Sequence, residues 1–376
     1  MSPAEQYTVA TRSDFIDRLR VLLTVLVIVH HCAITYGGSG GWFYREVSDA
    51  SLPGSMLLTL LCAVDQAFFM GMFFLLAGYF TPGALARKGP MRFMSERGLR
   101  LGLPLLVFGF VLGPLTEALA GQARGEPWLP HWGALLAQGR FVLGPLWFAW
   151  ALLLFTLLWL LRQQFGPPLR AREALPAPRS WWLSALAVGV AALLLRQAVP
   201  VGQERLGLQL GYFASYVLLF FLGCLAAPGR WLERIPAEQA RRWRRIALLA
   251  IPLLPAALLA LRALTGQPQQ TATGWAPAAW LYAFWEPLVA WGLIAGLLQG
   301  FQQRFNTPSP RWQRWSAQAY GAFVLHAPVL VLVAVLLAPW GAPPLLKFLC
   351  VASMATVLSF LAARVLRAVP GVNRVL

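Results

Sequence analysis

Residues 14–36, DFIDRLRVLLTVLVIVHHCAITY, decide the fold. Two carboxylates and two arginines open the stretch, and from Val21 it runs without a charged side chain to the histidines. A helix of about 20 such residues crosses a hydrocarbon core of roughly 30 Å. Comparable runs recur to the end of the chain, and spans are placed near 16–36, 55–80, 99–120, 143–162, 181–200, 208–227, 245–264, 277–301, 317–338 and 344–366. Over all 376 residues the chain is 58% hydrophobic and 12% charged, with a mean hydropathy of +0.61, which is too little charge for a soluble chain. The expected fold is an all-α, polytopic integral-membrane helical bundle of about ten transmembrane helices. It is read as one membrane-embedded domain over 1–376, with a short cytoplasmic segment at 1–15.

The net charge of +17 raises the question of a nucleic-acid partner, and its distribution answers it. Only Arg45, Arg124, Arg140, Arg196, Arg205, Arg262 and Lys347 fall in one set of alternating loops and the nearest helix ends. The other basic residues, out of 31, fall in the opposite set, including Arg12, Arg170 and Arg172. Such a bias marks the cytoplasmic side, and an even number of spans then puts both termini there. Topology and contacts with lipid headgroups account for the charge, so no nucleic-acid partner is expected.

Cys32, Cys62, Cys224 and Cys350 each sit within an apolar run, without a CxxC pair or a Cys/His cluster at ligand spacing, so neither a disulfide nor a metal is expected. The N-terminus is polar and shows no small-residue cleavage signal, so the first span is expected to remain in place.

Ionisable groups within spans are costly and concentrate at functional sites. Here they are Asp17, Arg20, His30 and His31 in the first span, Asp65 in the second, Glu286 in the eighth and His326 in the ninth. On a helix Arg20 and His31 lie about 20° apart around the axis, Asp17 falls within about 40° of His31, and His30 points about 80° from Arg20. His31 is therefore preferred over His30. Arg20 and His31 are separated by about 16 Å along the axis, with the arginine near the cytoplasmic interface and the histidine deep in the bilayer. An arginine so placed suits an anionic ligand, and a buried imidazole suits proton abstraction.

The stretch DFIDRLRVLLTVLVIVHH resembles the opening of the acyltransferase family 3 proteins, whose first span carries an arginine, ten intervening residues and a histidine. In this chain that spacing selects Arg20 and His31. The segment AFFMGMFFLLAGYFTPGALARKGPMRFMSERGLRLGLPLL at 67–106 is similar to the family's second span and basic loop, with Ala77-Gly78 where a serine commonly precedes the glycine. GPLWFAWALLLF at 144–155 resembles the fourth span, and AYGAFVLHAPVLV at 319–331 resembles the ninth, with Tyr320, His326 and Pro328 in place. The four segments occur in order over nearly the whole chain. GGSGGWFY at 37–44 marks a subgroup whose acceptor stays open.

The resemblance implies a multi-pass enzyme of the bacterial inner membrane. It would move an acyl group, with acetyl-CoA or another acyl-CoA as donor substrate, onto a carbohydrate or other hydroxylated acceptor outside the cytoplasm. His31 is then the general base, with Arg20 and Asp17 in the same catalytic group. Arg18, Arg92, Arg97 and Arg100 are the expected partners of the donor phosphates. Asp65, Glu286, His326, Trp147 and Tyr320 are expected to support the site or line the acceptor path. Cys32 is read as a small apolar residue rather than an acyl carrier. Two other readings are a transporter using Asp17, Arg20, His31 and Glu286 as a polar relay, and a non-catalytic membrane partner. The oligomeric state is open.

Overall fold

The computed structural model describes residues 13–166, 173–267, 271 and 273–376. Most of the N-terminal segment read as cytoplasmic, together with Arg12, Arg170 and Arg172, lies outside them. The described residues are helical, without a strand, and carry one isolated bridge between Arg205 and Leu208. Among the described residues nine helices are long and apolar enough to cross a membrane. They are α1 (Asp14–Thr35), α2 (Pro53–Lys88), α3 (Pro90–Gln122), α5 (Gly144–Phe165), α6 (Pro178–Ala198), α8 (Ala237–Thr265), α9 (Pro277–Phe305), α10 (Pro310–Leu336) and α11 (Pro344–Arg367).

The expected span at 208–227 is a shorter apolar helix, α7 (Leu210–Ala226). A ten-residue helix, α4 (Trp128–Ala137), was not expected. It is too short to cross a bilayer and has no buried residue. It packs beside the end of α3, and the Trp132 indole N–H donates to the Val111 carbonyl at 3.2 Å.

α3 is not regular. Two π-helical turns, Gly98–Gly102 and Phe108–Leu112, flank the α-helical Leu103–Val107. Each π turn runs up to a proline, Pro104 or Pro114, that cannot return a hydrogen bond to the preceding turn. Pro104 leaves the Arg100 carbonyl without its usual partner. The Tyr320 hydroxyl of α10 donates to that carbonyl at 2.8 Å, a repair that apolar surroundings demand.

The chain forms two compact units. One comprises Met1–Leu19, Gln66–Phe93 and Leu154–Pro308. Within it α8 packs on α9, α9 on α6 and α6 on α7. α2 and α7 cross at Gly78 and Gly223, where a Cβ on Gly78 would run into the Phe220 carbonyl and one on Gly223 into the Leu75 carbonyl. Glu233 gathers three elements of this unit. It accepts from Tyr79 at 2.6 Å and from Ser13 at 3.4 Å, and its carbonyl accepts from Gln302 at 2.5 Å.

The other unit comprises Arg20–Asp65, Met94–Leu153 and Ser309–Leu376. Its core joins Ile28, Cys32 and Tyr36 to Leu330, Phe348 and Val351. α10 packs along α11 and against the end of α3.

Candidate active site

The helix register separates the two neighbouring histidines. His30 turns to α2, where its Nδ1 lies 3.8 Å from Asp65 Oδ2. His31 turns to α10, where its Nδ1 lies 3.2 Å from His326 Nε2. His326 is fully buried and its Nδ1 lies 2.5 Å from the Phe323 carbonyl. A carbonyl only accepts, so His326 carries its proton on Nδ1 and presents a lone pair at Nε2. The proton between the rings then belongs to His31 Nδ1. This tautomer leaves a lone pair on His31 Nε2, which makes no hydrogen bond among the described residues. His31 is only half-buried, so the accessible end of the pair is also its basic end.

A loop closes over this pair. Gly37 and Gly40 take φ of +118° and +142°, a region that side chains disfavour, and they turn the chain back after α1. The Thr35 carbonyl accepts from the amides of Glu46 and Val47 at 2.9 and 3.2 Å, and Arg45 donates to the carbonyls of Gly38 and Gly40. Lys347 of α11, itself buried, holds Glu46 at 2.5 Å and the Ala338 carbonyl at 3.0 Å. The loop packs on Leu119 and Val331. Burial together with the neighbouring Glu46 carboxylate holds the Tyr44 phenol above its ordinary range, so it stays neutral. The result is that Trp42 lies flat on His31, with ring centroids 3.9 Å apart and planes 18° apart. Trp42 is also near-parallel to His326, at 5.9 Å and 14°.

Other residues singled out in the sequence take varied positions. Phe148, next to Trp147, meets Phe323 at 6.0 Å, and Phe323 in turn meets the His326 ring at 5.7 Å. Trp147 itself stays half-exposed. Tyr320 spends its hydroxyl on Arg100, which ties that basic segment to the helix of His326. Asp17 and Arg18 are buried, while Arg20 is half-exposed. Arg18 donates to the Thr307 carbonyl at 2.7 Å and lies over the Phe305 ring, which commits it to the start of the α9–α10 connection. Arg92 and Arg100 are exposed and Arg97 is half-exposed. Arg97 ends the first α-helical stretch of α3 and Arg100 sits in the π turn after it.

Glu286 is in the first unit, ion-paired with Arg196, and Arg196 also lies between the rings of Tyr212 and Tyr282 at 5.6 and 4.9 Å. Asp65 is on His30, not His31. Cys32 is fully buried with its thiol toward the Phe348 carbonyl at 3.5 Å. The sequence reading missed Trp42 and Arg196 as members of these clusters. The only available signal for Trp42 was its place beside four glycines directly after the histidine span.

No curated protein and no solved structure matches the chain. The family model of acyltransferase family 3, described as an acyltransferase domain, matches residues 13–364. With that match spanning the helix of Arg20 and His31, the loop of Trp42 and the helix of His326, the chain is a multi-pass membrane acyltransferase and belongs to acyltransferase family 3.

Proposed function

We propose that this protein moves an acyl group, acetyl in the simplest case, from a cytoplasmic acyl-CoA to a hydroxyl of an acceptor outside the cytoplasm, such as a glycan. His31 is the general base. The observation that carries this reading is the chain from the Phe323 carbonyl through His326 to His31, which fixes the tautomer that leaves His31 Nε2 free to take a proton.

In the reaction the acceptor hydroxyl gives its proton to His31 Nε2 as its oxygen attacks the thioester carbonyl carbon. The carbonyl electrons move to oxygen. When the carbonyl re-forms, the carbon–sulfur bond breaks and the departing sulfur takes the proton back from His31. The products are an acyl ester and free coenzyme A. Cys32 is not needed as a carrier, which agrees with its buried, hydrogen-bonded thiol. Arg20, Arg97 and Arg100, with Arg92 nearby in sequence, bind the donor phosphates, since guanidinium groups match phosphate oxygens in charge and geometry. Arg18 is left out of this set because it already serves the Thr307 carbonyl.

The test is thiol release from acetyl-CoA by detergent-purified protein with a soluble oligosaccharide as acceptor. His31→Ala is expected to lose turnover by about 10²-fold or more while still binding coenzyme A. Arg20→Ala is expected to weaken coenzyme A binding. His30→Ala should keep turnover, because His30 faces Asp65. Loss in His30→Ala with retention in His31→Ala would refute the assignment, and a folded wild type that binds no coenzyme A would refute the donor.

A further inference from the structure

A base that takes a proton becomes a cation, and among the described residues the ionisable groups that act on His31 are His326 and His30, with no carboxylate. His326 is anchored to a carbonyl, not to a carboxylate. Asp65, the carboxylate that α2 brings to this end of α1, is spent on His30, whose ring stands edge-on to His31 at 5.4 Å. The groups that face His31 are thus His30 on its own helix, His326 from α10 and Trp42 from the loop. Asp17 and Arg20 lie turns away toward the start of α1.

Trp42 presents the broad face of its indole to His31, well inside the roughly 6 Å at which a ring face attracts a cation. Packing alone does not explain a tryptophan here. Its Nε1 is buried and finds no acceptor among the described residues, a desolvation cost that a phenylalanine would avoid. The loop that carries Trp42 is pinned by two positive-φ glycines, by Arg45 and by the buried Lys347–Glu46 pair, so the indole is preorganised rather than adjusting to each turnover.

We propose that Trp42 is a positioning residue whose indole face stabilises the imidazolium formed on His31 during acyl transfer, a task that a carboxylate performs for other catalytic histidines. The inference rests on the proposed role of His31 as base. It assigns a function to the glycine-flanked aromatic loop that follows the first span. The same face lies over His326, so the stabilisation extends along the relay while His31 holds the proton.

The experiment replaces Trp42 site-specifically with mono-, di- and trifluorotryptophan in the full-length protein. Fluorination drains the ring face and leaves the shape of the side chain nearly unchanged. Thiol release from acetyl-CoA is measured with the soluble oligosaccharide as acceptor. The expected result is a stepwise fall in kcat, about tenfold across the series, with KM for acetyl-CoA unchanged. Trp42→Phe should retain part of the rate and Trp42→Leu the least. The acid limb of the kcat profile should move to lower pH down the same series, because the protonated ring has lost its partner. A flat series would overturn the proposal. So would a rising one, because fluorine makes the indole N–H a better donor and that trend would assign the work to the N–H. His31→Ala, run beside the series, separates the two ideas: activity surviving there sinks the base assignment, whereas a dead His31→Ala with a flat series sinks only Trp42.

Discussion

His30 and His31 are chemically identical neighbours, and the helix gives them different duties. A step of about 100° turns one to the Asp65 carboxylate and the other to His326. The angular argument that separates them needs only the sequence. What it cannot supply is the partner, because His326 lies 295 residues away and meets His31 only through packing. In the proposed mechanism His326 fixes the tautomer of His31 and does not touch the substrate. His326→Ala is therefore expected to cut kcat by about 10- to 100-fold with little change in KM for acetyl-CoA. His326→Gln, whose amide oxygen can accept from His31 Nδ1, should recover much of that loss. Equal loss in both variants, accompanied by a lowered melting temperature, would reduce His326 to a packing residue.

At the scale of elements, the apolar runs were legible because the bilayer imposes a length and a hydropathy on every crossing helix. α1, α5, α6, α9 and α11 fall within a few residues of where periodicity and punctuation place them, and α2, α8 and α10 cover their expected spans and run on past the basic ends. α4 was not legible, since a ten-residue apolar helix between two spans has the composition of a span and the length of a loop. The glycine at 78 was visible as part of a family-like segment, but its reason is tertiary. α2 and α7 approach so closely there that the atoms a Cβ would meet are backbone, which cannot rotate away. Gly78→Val should thus cost about 3 kcal/mol, near the upper end for overpacking, and lower the melting temperature of the purified protein. A variant as stable as wild type would mean that α2 and α7 separate freely. The Arg196–Glu286 pair shows the complementary limit of sequence reading. Glu286 reads as an ionisable group within a span while Arg196 reads as a basic residue of a helix end, and nothing in the order of residues says that they choose each other rather than a histidine.

For the whole molecule, the sequence offers one further kind of information, the segregation of basic residues. Seven lie in one set of loops, among them Lys347 and Arg196, and these two are buried in ion pairs, so their positions answer to packing more than to topology. Setting them aside strengthens the bias of the remaining loops toward one side, by the same logic that reads that side as cytoplasmic. The proposed direction of acyl transfer depends on it, since the loop of Trp42 must then face outward and the Arg97–Arg100 segment inward. Single cysteines at Ser48 and Ser309 test this directly, as Cys32, Cys62 and Cys224 are buried and only Cys350 needs replacement by serine. Ser48 is exposed in the loop that continues from Trp42, and Ser309 precedes α10 at its basic end. In intact cells a membrane-impermeant maleimide should label Cys at 48 and spare Cys at 309 until the membrane is permeabilised. The reverse pattern would place His31's open side toward the cytoplasm, and donor and acceptor would have to exchange sides.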